Sequence, residues 1–372
     1  MTELSKKFAQ RINNFTSQIR LRLSQSQWTN PGPLAVILFL CVLASLFYGS
    51  YPVTASRTLG ILINLLLPSG WLDSSALDLK EIAVITIIRP PRILVAVFSG
   101  VALGMSGTAL QGMMRNPLVG PDLVGVSSGA AFGSVLGFWL GLFEKPVIIL
   151  AMASIGGCCA LLLTMALAKM VGGKSDGLPL ILAGFFVGAF FLACVGLLLY
   201  VNNPFYPRGQ RTYNIIYWLL GMFRGADSAK ALVVTLTTLI GGVVLMGLRW
   251  RINLLSLGDL DAKSLGIDVS WLRWLLIITV SFMVAGQVSV SGVVAWVGLI
   301  IPHCARMLVG PDHRRLMPTS ALLGGLFVLG LDNFTRTVIK GEIPVGVLSG
   351  FIGTPLICFL FWKTKTKGWN ES

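Results

Sequence analysis

The sequence predicts an all-α membrane protein, a ten-helix transmembrane bundle. Three observations carry this. Only 12% of the residues are charged and 55% are hydrophobic, whereas a soluble domain is about 25% charged. Apolar runs approaching the roughly 20 residues that a spanning helix needs recur along the chain. Those runs are continuous rather than alternating, which fits helices and not barrel strands, the other structure that satisfies its backbone in lipid.

The elements follow in order. Residues 1–33 are polar and carry Lys6, Lys7, Arg11, Arg20 and Arg22. This stretch is too long for the n-region of a signal peptide and is expected to be a cytoplasmic leader on the membrane surface. Spans are expected over 34–49, 92–111, 123–143, 146–169, 178–200, 228–248, 272–290, 293–309, 318–336 and 344–363. The transmembrane domain is thus 34–363, with a tail over 364–372. An even number of spans puts both termini on one side, and the basic leader and tail (Lys363, Lys365, Lys367) assign that side to the cytoplasm. The net charge of +14 is read the same way, as Lys and Arg gathered in cytoplasmic loops, so membrane lipid and not nucleic acid is the expected polyanion.

The second span begins at an anomaly. Arg89-Pro90-Pro91-Arg92 precedes it and Arg115 follows it. Arg92 to Arg115 covers about 34 Å of helix, one bilayer crossing, so if Arg115 is cytoplasmic the arginine pair is external. Snorkelling to headgroups is the simplest use for such charges. Two arginines flanking prolines also suit a fixed fork for carboxylates. Small residues recur every fourth position at Ala96, Gly100, Gly104, Thr108 and Gly112, and at Gly346, Gly350 and Thr354. Such stripes let helices approach closely.

The loop 249–272 differs from the others. It holds Asp259, Asp261 and Asp268 where basic residues are expected. Ser256 and Asp259 can cap a short helix through Ala262 and Leu265, Gly266 can end it in a left-handed turn, and Asp268 can start the next helix. An ordinary structured loop and a docking element for a soluble partner are both open readings. The pentapeptide 118–122 recurs at 308–312, which is read as coincidence.

Other chemistry is sparse. The spans lack acidic residues, with Asp332 the nearest, which argues against an ion-coupled carrier. Gly172-Gly173-Lys174-Ser175 lacks the first glycine of a P-loop and follows a span rather than a strand. If ATP drives this protein, the ATPase is another chain, which would hold the ATP and Mg, and no cofactor or metal is expected here. His303 and His313 have no paired nucleophile, so an intramembrane enzyme fits poorly. The six cysteines lack metal-ligand spacing.

Five stretches together resemble the FecCD-type permeases of type II ABC importers, which carry ferric siderophores, haem and cobalamin. They are Arg89–Arg92, 106–130 (SGTALQGMMRNPLVGPDLVGVSSGA), 256–269 (SLGDLDAKSLGIDV), 291–324 and 342–356 (EIPVGVLSGFIGTPL), in the family's order. The resemblance implies, in a bacterial inner membrane, two permease subunits, expected as a homodimer with pairing to a homologous second permease left open, two ATP-binding cassette subunits below and an extracytoplasmic substrate-binding protein above. It implies that Arg89, Arg92 and Arg336 grip carboxylates of that binding protein, and that Ala262, Leu265 and Gly266 form the turn seated on the ATPase. The expected cargo is a ferric siderophore or haem, with cobalamin or a molybdate-type oxyanion as alternatives.

Overall fold

A computed structural model describes residues 31–66, 78–142, 145–171, 177–201, 215–338 and 342–368. Most of the leader, Gly172–Ser175 and the last residues of the tail lie outside these. Among the described residues every regular element is helical. The helices are α1 (Gly32–Ser45), α2 (Ala55–Leu66), α3 (Leu79–Met114), α4 (Val126–Trp139), α5 (Pro146–Val171), α6 (Gly177–Val201), α7 (Ser228–Leu257), α8 (Asp259–Ser264), α9 (Val269–Ser291), α10 (Val297–Val309), α11 (His313–Val338) and α12 (Val345–Gly368).

Each of the ten expected spans falls on an apolar helix. Six of these, α3, α5, α6, α7, α9 and α11, are long and apolar enough to cross a membrane alone, while α1, α4, α10 and α12 are shorter. Two features were not expected. The run 55–66 forms α2, whose Ile61 packs with Val53 and Ile85 against the start of α3. The arginine pair is also not at a helix end. α3 begins ten residues earlier, and a single π turn at Val84–Ile88 precedes Arg89. Pro90 and Pro91 fill the first positions after that turn, where a missing N–H costs least.

α3 is the axis of the bundle. Its apolar window is 83% buried, against 33% for α6, and α7, α9, α10 and α11 pack around it. Small residues permit this. A Cβ at Gly100 would fall on the Gly324 carbonyl of α11, one at Gly104 on the Ser320 carbonyl, and one at Gly107 on the Gly298 carbonyl of α10. Gly112 leaves room for the His313 ring and Ile252. In lipid no hydrophobic force drives helices together, so this contact between backbones is what holds α3 to its neighbours. The stripe on α12 runs differently from expectation. Gly346 meets the Leu220 and Val293 carbonyls, but a Cβ at Gly350 would find its nearest neighbour 4.0 Å away, and Thr354 is exposed. Gly353, not Gly350, makes the second close contact, against Trp296.

Between α9 and α10 the chain unwinds over 292–296. Irregular backbone at this depth needs internal partners, and it has them. Gln287 Nε2 donates to the Gly292 carbonyl at 2.9 Å, the Met222 N–H donates to the Ser291 carbonyl at 2.9 Å, and the Trp296 N–H donates to Asp122 Oδ2 at 2.9 Å. Trp296 occupies the left-handed region (φ 70°) to start α10.

Candidate functional site

Two clusters stand at opposite ends of the part of α3 that follows its π turn. The segment Arg89–Met114 has 26 residues, about 39 Å of helix. Arg89 and Arg92 are at its start and Arg115 caps its end.

At the first end the structure brings together all three arginines singled out by sequence. Arg92 donates through Nε to Asp332 Oδ1 at 2.9 Å, and its Nη1 reaches both oxygens of Glu342 at 3.1 Å. Arg336, one turn on from Asp332 in α11, places Nε 3.0 Å from Asp332 Oδ2. It also donates to the Tyr48 carbonyl at 3.2 Å, the Ser45 hydroxyl at 2.5 Å and Asn333 Oδ1. Arg89 donates to the carbonyls of Leu46 and Tyr51. The turn that follows α1 therefore closes over Arg89 and Arg336, which are 3% and 4% exposed. They are not open forks in this conformation. Arg92, at 12% side-chain exposure, and Glu342, at 17%, are the members that reach the surface. Three guanidiniums face two carboxylates, so the cluster carries net positive charge.

The acid inventory changes accordingly. Asp332 is fully buried within α11 and is the hub of the arginine cluster, and Asp122, half-buried, accepts from the Trp296 N–H at the start of α10. The expectation that the spans lack acids thus fails at Asp332, within α11, while Asp122 lies in the turn before α4. The spacing Asp332–Arg336 (i, i+4) was a legible pairing signal. The Glu342–Arg92 contact joins residues 250 apart in sequence, and no local pattern announces it.

Beside this cluster lies a cavity of about 880 Å³, lined by Trp218, Met222, Arg224, Lys230, Ser289 and Glu342 among others.

At the other end, α8 forms the expected short helix, with two corrections. Gly258 (φ 139°) is its N-cap, because Ser256 is still within α7 and donates to the Asn253 carbonyl at 2.6 Å. Asp259 turns outward to Arg273 Nη2 at 2.8 Å and Arg115 Nη2 at 3.4 Å. The rest follows the sequence reading. Gly266 is left-handed (φ 81°), and Asp268 caps α9 by accepting from the Trp271 N–H at 3.0 Å. Ala262 is fully buried against the core, while Leu265 is 55% and Leu260 83% exposed. α8 is thus anchored inward by Ala262, tied sideways to α3 and α9 by Asp259, and presents leucines outward. Nearby, His313 is buried, with its N–H and Nδ1 each 2.8 Å from Asn253 Oδ1. Arg306 donates to Gln111 Oε1 at 2.7 Å, which holds α10 to α3.

The comparisons agree with this architecture. Residues 37–363 match the FecCD transport family. A molybdate import system permease protein, MolB, of Haemophilus influenzae is 37% identical over 91% of this chain and 96% of its own. The hemin transport system permease protein HmuU of Yersinia pestis is 34% identical over 75% of this chain and 83% of its own. A cobalamin import system permease protein, BtuC, of Halobacterium salinarum is 34% identical over 88% and 90%. Among solved structures, a metal-chelate type ABC transporter in an inward-facing conformation superposes with a TM-score of 0.73 at 35% identity, covering 89% of this chain and 98% of its own. The axial glycine-packed helix, the short α8 and the arginine cluster are set within the stretch the family covers, and the chain belongs to the FecCD transport family.

Proposed function

We propose that the protein is the membrane permease subunit of an ATP-driven ABC importer that takes up a metal chelate, a ferric siderophore or haem, handed over by a substrate-binding protein. The observation that carries this is the placement of two unlike interaction clusters at opposite ends of one 26-residue helical segment, Arg89–Met114. At one end, α8 offers exposed Leu260 and Leu265 on a turn braced by Asp259, a shape suited to an apolar groove on an ATP-binding cassette subunit. At the other end, Arg92 backed by Arg89 and Arg336 supplies positive charge for carboxylates on the delivery protein. Arg92 is the contacting group in this reading, and the two buried arginines sustain the field behind it. ATP binding would move the α8 turn, and the Arg115–Asp259 pair would pass that movement to α3. The α8 end is assigned to the cytoplasm with both termini, and a second copy completes the path. ATP and Mg reside in the partner.

The cargo has a specific second reading. The relatives at 34–37% identity are named for molybdate, hemin and cobalamin, so an oxyanion is the alternative to a chelate. Proteoliposomes holding this chain with its ATPase subunit, supplied with the binding protein and either ferric chelate, haem or molybdate, test both. ATP-dependent uptake of one cargo is expected. Uptake driven by an ion gradient through this chain alone would overturn the importer reading.

A further inference from the structure

Glu342 is the unassigned member of the arginine cluster. It places both carboxylate oxygens 3.1 Å from Arg92 Nη1, and the Ser50 hydroxyl donates to its Oε1 at 2.9 Å. It does this from an unfavourable backbone position. Its φ is 49°, left-handed for a residue with a long side chain, a conformation retained only where surrounding contacts enforce it. Its contacts are longer and more exposed than those of Asp332, which sits 2.9 Å from Arg92 and is fully buried. Of the two acids on Arg92, Glu342 is therefore the one that can leave. It stands between two things, the surface of the arginine cluster and the wall of the 880 Å³ cavity, and it lies three residues before α12 begins.

We propose that Glu342 is an internal stand-in for a partner's carboxylate: it occupies Arg92 in the free protein and is displaced when an acidic side chain of the docking protein takes its place. This rests on the docking reading of Arg92 given above. Displacement relieves the left-handed backbone of Glu342 and withdraws its carboxylate from the cavity wall. Arrival of the partner at the surface is thereby signalled to the cavity and to the start of α12. The exchange is isoelectric for Arg92, which keeps Asp332 and one outer carboxylate before and after it. Competition by Glu342 also weakens docking, which favours release of the partner after delivery.

The test has two arms on the full-length protein in nanodiscs. In the first, a double-mutant cycle of Arg92→Met and Glu342→Gln, read as unfolding midpoint without partner, should show non-additivity. Additive effects overturn the latch. In the second, affinity for the cognate substrate-binding protein is measured. Glu342→Gln should tighten it about two- to fivefold, as expected for removal of a partly exposed competing charge. Ser50→Ala, which leaves the charge but removes its support, should tighten it less. Unchanged or weaker binding in both variants overturns displacement. Unchanged binding in Arg92→Met, with the coupling of the first arm intact, overturns the docking reading instead.

Discussion

Asp332→Asn should be among the most damaging single substitutions in the protein. The carboxylate is fully buried, with Arg92 at 2.9 Å on one oxygen and Arg336 at 3.0 Å on the other. The asparagine keeps the shape but removes the charge, leaving two guanidiniums, with Arg89 close by, facing one partly exposed Glu342. Removing one partner of a buried ion network costs about 3–5 kcal/mol, since the remaining charge stays buried without compensation. That is a loss of roughly two to four orders of magnitude in the folded-to-unfolded ratio. The surface pair Lys230–Asp227 is the internal control. Its atoms are 3.6 Å apart and both side chains are exposed, at 41% and 58%, so Lys230→Gln should cost under about 1 kcal/mol. Unfolding in mixed micelles by added SDS, followed through tryptophan fluorescence, separates the two cases. Replacing the acid and both arginines together, as Asp332→Leu with Arg92→Met and Arg336→Met, should lose less than Asp332→Asn alone. If Asp332→Asn and Lys230→Gln shift the midpoint equally, burial does not set the strength of these pairs and the argument is wrong.

Further predictions follow from the same structure. Gly107→Ala drives a methyl into the Gly298 carbonyl and should cost about 1–3 kcal/mol as overpacking, whereas Gly247→Ala, where nothing lies within 4 Å of the new methyl, should raise stability by about 0.4–1 kcal/mol; both are read by the same SDS titration. Leu265→Glu changes an exposed side chain and should leave folding intact while abolishing co-purification with the ATP-binding cassette subunit. Asp312 is held below the usual carboxylate range, first by the Arg314 backbone N–H and then by Asn253 and the charges of Arg314 and Arg315. Its stabilisation is therefore complete above the unfolded value of about 4 and is lost as pH falls through the lower folded value. Asp312→Asn should flatten the acid limb of the unfolding midpoint below about pH 4 relative to wild type.

What the sequence determined by itself was whatever depends on near neighbours in the chain. Continuous apolar runs dictate helices because backbone groups in lipid must pair within their own segment, and every expected span has its helix. Gly266 and Asp268 declared a turn and a cap because both are local backbone requirements. The four-residue spacing of small residues on α3 announced close packing, since that spacing is the pitch of one helix face. The tertiary structure alone decided partners across the bundle. Gly353 replaced Gly350 as the second close contact of α12 because Trp296 lies opposite it. Asp259 became a tether rather than a cap because Arg115 and Arg273 are brought beside it. The arginines read as an open clamp proved to be largely enclosed, since the turn after α1 supplies carbonyls to Arg89 and Arg336, and α11 and the residues before α12 supply Asp332 and Glu342 to Arg92. A side chain's charge is written in the sequence, but its counter-charge is chosen by packing, hundreds of residues away.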